Sequence, residues 1–304
     1  MTNDIAGKVV LVTGPARGIG EAVSRALAAR GARLALVGME PERLAALARE
    51  LGEGHAWFEG DVTDQRALEG AVSGTVAALG GIDVVVANAG IGCFGTVAVT
   101  PLEAQVRVIE VNLVGVLRTV VATLPHVTTR RGYYLLVSSA AAFAASPGLA
   151  AYAASKSGVE QFGNALRLEV AGRGVGVGVA HPCWIDTDLV RDARQDLGAF
   201  DEIVRRLPGP FRVVTSTADC AAALVDAIER RRRKVFVPRR LAVMAMLRSL
   251  LTSALAERKV LRDLGPLLPT LERQCAAVGR PFGAHSVEAT ARRGCYSDPP
   301  SEGP

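Results

Sequence analysis

KVVLVTGPARGIGEAVSRALAARG, residues 8–31, decides the fold class. Residues 8–12 form a short continuous apolar run, as expected for a strand buried in a parallel sheet. The run passes directly into Thr13-Gly14-Pro15-Ala16-Arg17-Gly18-Ile19-Gly20 and then into a helical stretch, residues 21–29, ended by Gly31. Three glycines at a strand-to-helix turn let the backbone approach a pyrophosphate, which then meets the N–H groups that open the helix. The alternative is a tight turn with no ligand. The strand before and the helix after favour the ligand.

The same alternation continues outward along the chain. A second strand, residues 33–37, leads through Gly38-Met39-Glu40 to a helix over Pro41–Leu51 with proline in its first turn. Residues 55–58 read as a strand entering Asp61-Val62-Thr63, followed by a helix from about 64 to 79. Strand 82–87 ends in Asn88-Ala89-Gly90-Ile91-Gly92, and a helix over 102–124 carries Asn112 near its middle. Strand Tyr133–Val137 runs into Ser138-Ser139-Ala140-Ala141, and residues 150–172 form a helix with an apolar stripe at Val159, Phe162, Leu166 and Val170. Residues 174–180 alternate Gly and Val, a strand with one face pared down for close packing, and deliver His181–Thr187 as HPCWIDT. The mixed segment 188–214, with Pro208-Gly209-Pro210 near its end, is long enough for a lid. A helix over 217–230 and a strand over 235–237 finish the pattern. Strands alternating with helices require parallel pairing and right-handed crossovers. The expected fold is therefore α/β, a doubly wound parallel sheet.

Composition bounds the function classes. The 304 residues are 49% hydrophobic and 21% charged, which describes a globular chain with ample core. Cys93, Cys183, Cys220, Cys275 and Cys295 include no C-x-x-C pair, so neither a disulfide framework nor a zinc site is expected, and a reducing cytoplasm fits. The first residues lack the basic start and long apolar run of a signal peptide, and no run has the roughly 20 consecutive apolar residues of a membrane span. The net charge of +5 is concentrated in residues 230–234 with Arg239 and Arg240, so it is local and does not indicate nucleic-acid binding.

Tyr152 and Lys156 lie four apart, on one helical face. A phenol titrates near pH 10 in water, and a neighbouring ammonium favours phenolate and lowers that value. The pair is one way to make a proton donor and acceptor for an alcohol or ketone oxygen; its alternative is an ordinary surface pair. Ser139 is placed to hydrogen-bond a substrate oxygen. Asn112, a mediocre helix former, has either a buried polar task or the role of a satisfied core amide. Asp61 either accepts from an adenine amino group or caps the helix that follows. At the end of the second strand an acid would hold the ribose hydroxyls of NAD, and a base the 2′-phosphate of NADP. Gly38 stands where that acid is expected and Arg17 offers positive charge, which favours NADP(H) with NAD(H) as the alternative; Glu40 would either bind a ribose or repel a phosphate.

Together these residues resemble the short-chain dehydrogenase/reductase family, over about residues 5–240. The resemblance rests on TGPARGIG (13–20), Asp61, ANAG (87–90), VNLVG around Asn112, the Ser139…Tyr152-Ala-Ala-Ser-Lys156 spacing and HPCWIDT (181–187). It implies a nicotinamide cofactor held by Gly14, Arg17, Gly18, Ile19, Gly20, Asp61, Val62, Asn88, Ala89, Gly90, Tyr152, Lys156, Pro182, Ile185 and Thr187. It further implies a catalytic tetrad of Asn112, Ser139, Tyr152 and Lys156, with Thr187 touching the carboxamide, no metal, and a homodimer or homotetramer. Two departures stand out: Cys183 occupies a position where the family usually has glycine, and Ala87 replaces the commoner first asparagine of its loop. Cys93, Phe94, Ala141, Phe143, Ala144 and Trp184 are the expected substrate pocket; being mainly apolar, they suit a neutral hydrophobic small molecule.

Residues 1–240 thus read as one catalytic domain, 241–285 as a helical extension and 286–304 as a disordered tail. In the extension, 241–261 reads as one helix and 264–278 as another. The basic run ahead of them would serve either a membrane-surface anchor or, the favoured reading, a solvated helix end before a helix covering the substrate cleft or a partner subunit. A redox sensor without turnover is a further alternative, and the presence of all four tetrad residues argues against it.

Overall fold

The computed structural model describes residues 4–144, 146–207 and 209–286; the expected tail from 287 onward, and Pro208, lie outside them. The strands are β1 (Val9–Thr13), β2 (Arg33–Gly38), β3 (Ala56–Glu59), β4 (Val84–Ala87), β5 (Tyr133–Val137), β6 (Gly176–Pro182), β7 (Trp184–Ile185), β8 (Val214–Thr215) and β9 (Lys234–Val237). The α-helices are α1 (Gly18–Ala28), α2 (Pro41–Leu51), α3 (Gln65–Leu79), α4 (Leu102–Ile109), α5 (Gly115–Thr129), α6 (Ala150–Val170), α7 (Asp188–Asp196), α8 (Phe200–Arg206) and α9 (Thr217–Glu229). The extension adds α10 (Leu241–Met246), α11 (Arg248–Leu251), α12 (Ala254–Leu264) and α13 (Leu268–Val278).

Seven strands pair in parallel in the order β3-β2-β1-β4-β5-β6-β9. The order reverses between β1 and β4, and such a switch point opens a crevice at the carboxyl edge. Helices cover both faces. One core packs Val10, Val12, Leu34 and Leu36 against Val23, Leu27 and Leu224; the other packs Leu11, Val85, Tyr134 and Leu136 against Val72, Val120 and Val159. Successive strand residues enter opposite cores, so the strands are apolar throughout.

The pared face of β6 has a visible cause. Tyr133 of β5 reaches across Gly178 to donate from its hydroxyl to the Arg232 carbonyl at 2.7 Å. A Cβ on Gly178 would overlap both oxygens. Gly178→Ala is therefore expected to cost about 1–3 kcal/mol by overpacking. Gly172→Ala, where an added Cβ meets nothing within 4 Å, serves as the neutral control in thermal melts.

Two expected helices differ. The 102–124 helix extends to Thr129 but is interrupted by a π-helical turn over Glu110–Val114, which contains Asn112. The whole run, Leu102–Thr129, is long and apolar enough to cross a membrane by composition, and here it packs along the sheet through Val116, Val120 and Val127. The single helix expected over 241–261 is broken into α10, α11 and α12, the last started by Ser253, whose side chain accepts from Ala256 N; Met244 and Leu251 line the cavity under the extension. The basic run is largely spent within the fold. Arg230 and Arg232 pair with Asp226, Arg231 donates to the carbonyls of Arg131, Gly132 and Gly174, and Lys234 pairs with Glu160.

Candidate active site

The glycine turn sits at the switch point. Gly14 has φ +65°, and a Cβ there would fall 2.9 Å from the Ala89 Cα, so only glycine lets the β1 and β4 loops close together. Asn88 Nδ2 donates to the carbonyls of Thr13 (3.1 Å) and Gly14 (3.0 Å), while Thr13 Oγ1 accepts from the N–H groups of Asn88 and Ala89. Asn88 therefore staples the two loops as well as lining the cleft. No side chain caps α1, which leaves its first N–H groups for an anion. Gly18, Ile19, Ala89, Gly90, Val62, Pro182, Ile185 and Thr187 line the same cleft, of about 250 Å³. Gly20 does not. It lies beneath the cleft, where a Cβ would come 2.5 Å from Asn88 Nδ2, so its task is to admit the staple. Thr187 lies against Gly18: a Cβ on that glycine would be 3.2 Å from Thr187 Cγ2.

At the far end of the cleft Arg17 is ion-paired with Glu40, and Nη1 of Arg17 also donates to the His285 carbonyl at 3.2 Å. Asp61 lines the cleft; its Oδ1 accepts from Thr63 N and Thr63 Oγ1, both at 2.8 Å, and its Oδ2 lies 3.5 Å from Arg107. The cap of α3 is Asp64, not Asp61. These residues fit a dinucleotide: a cradle without side chains, an uncapped helix terminus and polar groups at the outer end.

Toward the opposite end Lys156, 4% exposed, donates from Nζ to the Val137 carbonyl at 3.0 Å and lies 5.7 Å from the Tyr152 ring centroid. The expected shared face is present. The expected effect on the phenol is not. Burial pushes the Tyr152 hydroxyl above its ordinary value, the hydrogen bond from Ser139 opposes that, and the Cys183 thiol adds to it. Lys156 is itself lowered to about 8 by burial. Desolvation is the largest influence on the phenol, and what opposes it is the Ser139 hydroxyl.

Asn112 is fully spent: Oδ1 accepts from Ile91 N at 2.8 Å, and Nδ2 donates to Ile91 O at 2.9 Å and to Ser155 Oγ at 3.2 Å. It also lies next to the ammonium, since a Cβ on Gly90 would be 3.1 Å from Asn112 Oδ1 and 3.3 Å from Lys156 Nζ. Sequence reasoning missed three anchors of α6. Ser138 Oγ donates to the Lys156 carbonyl at 2.7 Å, Ser155 Oγ to the Tyr152 carbonyl at 2.7 Å, and Ser157 Oγ to the Ala142 carbonyl at 3.1 Å. The signal was slight: Ser155 and Ser157 lie within a helix already expected to be catalytic, and Ser138 precedes Ser139 at the end of β5.

A second cavity, of about 290 Å³, opens on the other side of Tyr152. Phe94, Ala141, Ala144 and Trp184 line it, together with Ser139. Cys93 and Phe143 do not: Cys93 packs into a buried cluster with Ala104, Val108 and Phe282, and Phe143 into one with Phe211 and Leu241. Both follow small-residue loops that turn their side chains under the cavity, which loop composition does not reveal. The remaining walls come from the lid (Leu189, Val190, Leu207, Phe211) and the extension (Met244, Leu251, Val260, Leu264).

A family model described as short chain dehydrogenase matches residues 8–198. An uncharacterized oxidoreductase of Mycobacterium tuberculosis is 32% identical over 245 residues, covering 78% of this chain and 91% of that protein. The 3-oxoacyl-[acyl-carrier-protein] reductase of Escherichia coli is 34% identical over 191 residues, covering 62% of this chain and 78% of that one. The glycine betaine reductase of Emericella nidulans is 38% identical over 190 residues; this covers 61% of this chain but only 15% of that much longer protein. In fold, a crystal structure of a short chain dehydrogenase/reductase from Burkholderia phymatum in complex with NAD superposes with a TM-score of 0.73 at 21% identity, covering 82% of this chain and 95% of that one. With the glycine cradle at its switch point, this chain belongs to the short chain dehydrogenase family of oxidoreductases, which bind a nicotinamide dinucleotide.

Proposed function

We propose that this protein interconverts a ketone and a secondary alcohol on a neutral, apolar substrate, preferring NADP(H), with Tyr152 as acid and base. One observation carries the reading. Tyr152 lines both the dinucleotide cleft and the apolar cavity, so its hydroxyl stands where a substrate and the reactive end of a cofactor meet. When bound, the dinucleotide supplies or accepts the hydride. Tyr152 gives its proton to the substrate oxygen in reduction and takes it back in oxidation, with Ser139 helping to hold that oxygen. The Lys156 ammonium steadies the phenolate left behind and holds the nicotinamide ribose. Asn112, by fixing Ile91 and Ser155 beside Lys156, orders the place from which water resupplies the proton.

The cavity walls favour a ketone on an apolar chain. The charged groups at the cavity, Arg206, Lys259 and Asp263, are engaged with one another: Arg206 donates to the Asp263 carbonyl at 2.7 Å and Lys259 pairs with its carboxylate at 2.6 Å. A chain-bearing ketone is also what the name of the Escherichia coli relative describes. Aliphatic ketones and secondary alcohols of rising chain length, assayed with both cofactors, are expected to show turnover that increases with length. No turnover on any of them, or full turnover by Tyr152→Phe, would reject the proposal.

NADP(H) preference rests on Gly38 at the ribose end and on Arg17, which a 2′-phosphate would take over from Glu40. Arg17→Ala is expected to weaken NADPH binding about 10- to 100-fold, the loss of one or two charge-assisted bonds, and to leave NADH nearly unchanged. Equal losses for both in fluorescence titrations would remove the preference.

The same reading places the protein in the cytoplasm, where the four described cysteines, all free, stay reduced. It is a homodimer or homotetramer, built through the exposed apolar residues Val106, Val121 and Leu168 on the outer helices. Its partner is a small molecule, not nucleic acid. Residues 241–285 serve as the wall of the catalytic domain's pocket and not as a membrane anchor.

A further inference from the structure

The dinucleotide cleft has a wall drawn from far along the chain. His285 and Ser286 line it together with Arg17. They end a segment, residues 279–286, that leaves α13 at Gly279 and is fastened at several points. Phe282 is buried and pairs with Cys93 in an isolated antiparallel bridge. Arg280 Nη2 donates to Asp196 Oδ1 at 2.7 Å. Asp192, 4% exposed, accepts from His285 N at 3.1 Å and faces His285 Nδ1 at 2.8 Å. The His285 carbonyl accepts from Arg17 at 3.2 Å.

Asp192 and Asp196 both lie on α7, which begins directly after Thr187. The segment therefore ties the first helix of the lid to the glycine turn across the cleft. The fit at the crossing is close: a Cβ on Gly283 would fall 2.5 Å from Asp192 Oδ2. A buried carboxylate stays buried only while its donors stay with it. Opening the segment returns Asp192 to water, so the fastening can be undone and remade.

We infer that residues 279–286 are a strap that completes the dinucleotide site, holding Arg17 in place and retaining the bound cofactor until the strap and α7 part. The inference rests on the reading that the cleft takes a nicotinamide dinucleotide. It assigns cofactor-binding residues to a part of the chain beyond the matched family region, which ends at residue 198.

The test is the dissociation rate of NADPH and of NADH from the full chain, followed by stopped-flow fluorescence of the reduced nicotinamide. Arg280→Ala removes the Asp196 tie, and Gly283→Ala pushes the strap off Asp192. Each is expected to speed release about tenfold, the loss of one charged hydrogen bond or an equivalent misfit. Hydrogen exchange in peptides covering 280–286 should slow when NADPH binds, which a strap that merely braces α7 would not show. Wild-type release rates in Arg280→Ala, at a half-buried side chain, together with cofactor-independent exchange, would overturn the strap even if Gly283→Ala fails to fold. Failure of the wild-type chain to bind either reduced dinucleotide would overturn the cofactor reading and the strap with it.

Discussion

Tyr152→Phe is expected to fold, to bind reduced dinucleotide and to lose turnover by about 10²- to 10⁴-fold, the range a positioned general acid contributes. The substitution removes one oxygen and keeps the ring that lines both cavities. Because burial holds the phenol above its ordinary value, Tyr152 is protonated at neutral pH and ready to donate. Ketone reduction should therefore run well at neutral pH, whereas alcohol oxidation, which needs the phenolate, should rise with pH. Single-turnover measurements on an apolar ketone at saturating cofactor check the loss, and opposed pH profiles for the two directions check its cause. A Phe variant within threefold of wild type would remove Tyr152 from the chemistry.

Lys156→Met should abolish most turnover while making the protein more stable at neutral pH. The ammonium is buried and donates to the Val137 carbonyl, and burial lowers it from 10.5 to about 8. Between those values the unfolded chain binds more protons than the folded one, so wild-type stability rises with pH from about 8 to 10.5. Below pH 8 the charged, buried form carries the whole penalty, about 3 kcal/mol. Methionine has similar volume and no charge, and leaving the Val137 carbonyl without its donor costs about 1 kcal/mol. The net gain is about 2 kcal/mol at pH 7, a rise of roughly 3 °C in Tm for a chain of this size. The gain should shrink as pH approaches 10.5. A lower Tm for the variant at pH 7 would mean that the ammonium is satisfied by more than Val137. Such a trade of stability for a working charge is common at active sites.

Much of this was legible in the residues themselves. Pro41–Leu51 and Tyr133–Val137 have the bounds that their pattern predicts, because an amphipathic helix opened by proline and a five-residue apolar run leave few alternatives. The helix after the glycine turn begins at Gly18, three residues before the expected start, since glycines conceal a helix N-terminus from a pattern based on apolar side chains. Asn112 reads in the sequence as a buried polar group with a task or as a satisfied core amide; the structure sets it in a π turn, its side chain bonded to Ile91 and Ser155. No local signal distinguishes that from an ordinary core amide. Cys93 and Phe143 were expected in the pocket and lie beneath it, because the direction a loop side chain takes is set by what packs around it.

The division has a physical basis. Sequence by itself determined the parallel α/β sheet, the glycine cradle and the Tyr152–Lys156 face, because each shows as a local pattern: strands alternating with helices, glycines at one turn, and a spacing of four. Tertiary structure alone decided the sign of the Tyr152 shift, the pairing of Arg17 with Glu40, the cavity walls and the strap at 279–286. Those depend on desolvation and on partners up to 268 residues away, as between Arg17 and His285, and neither is encoded in local spacing.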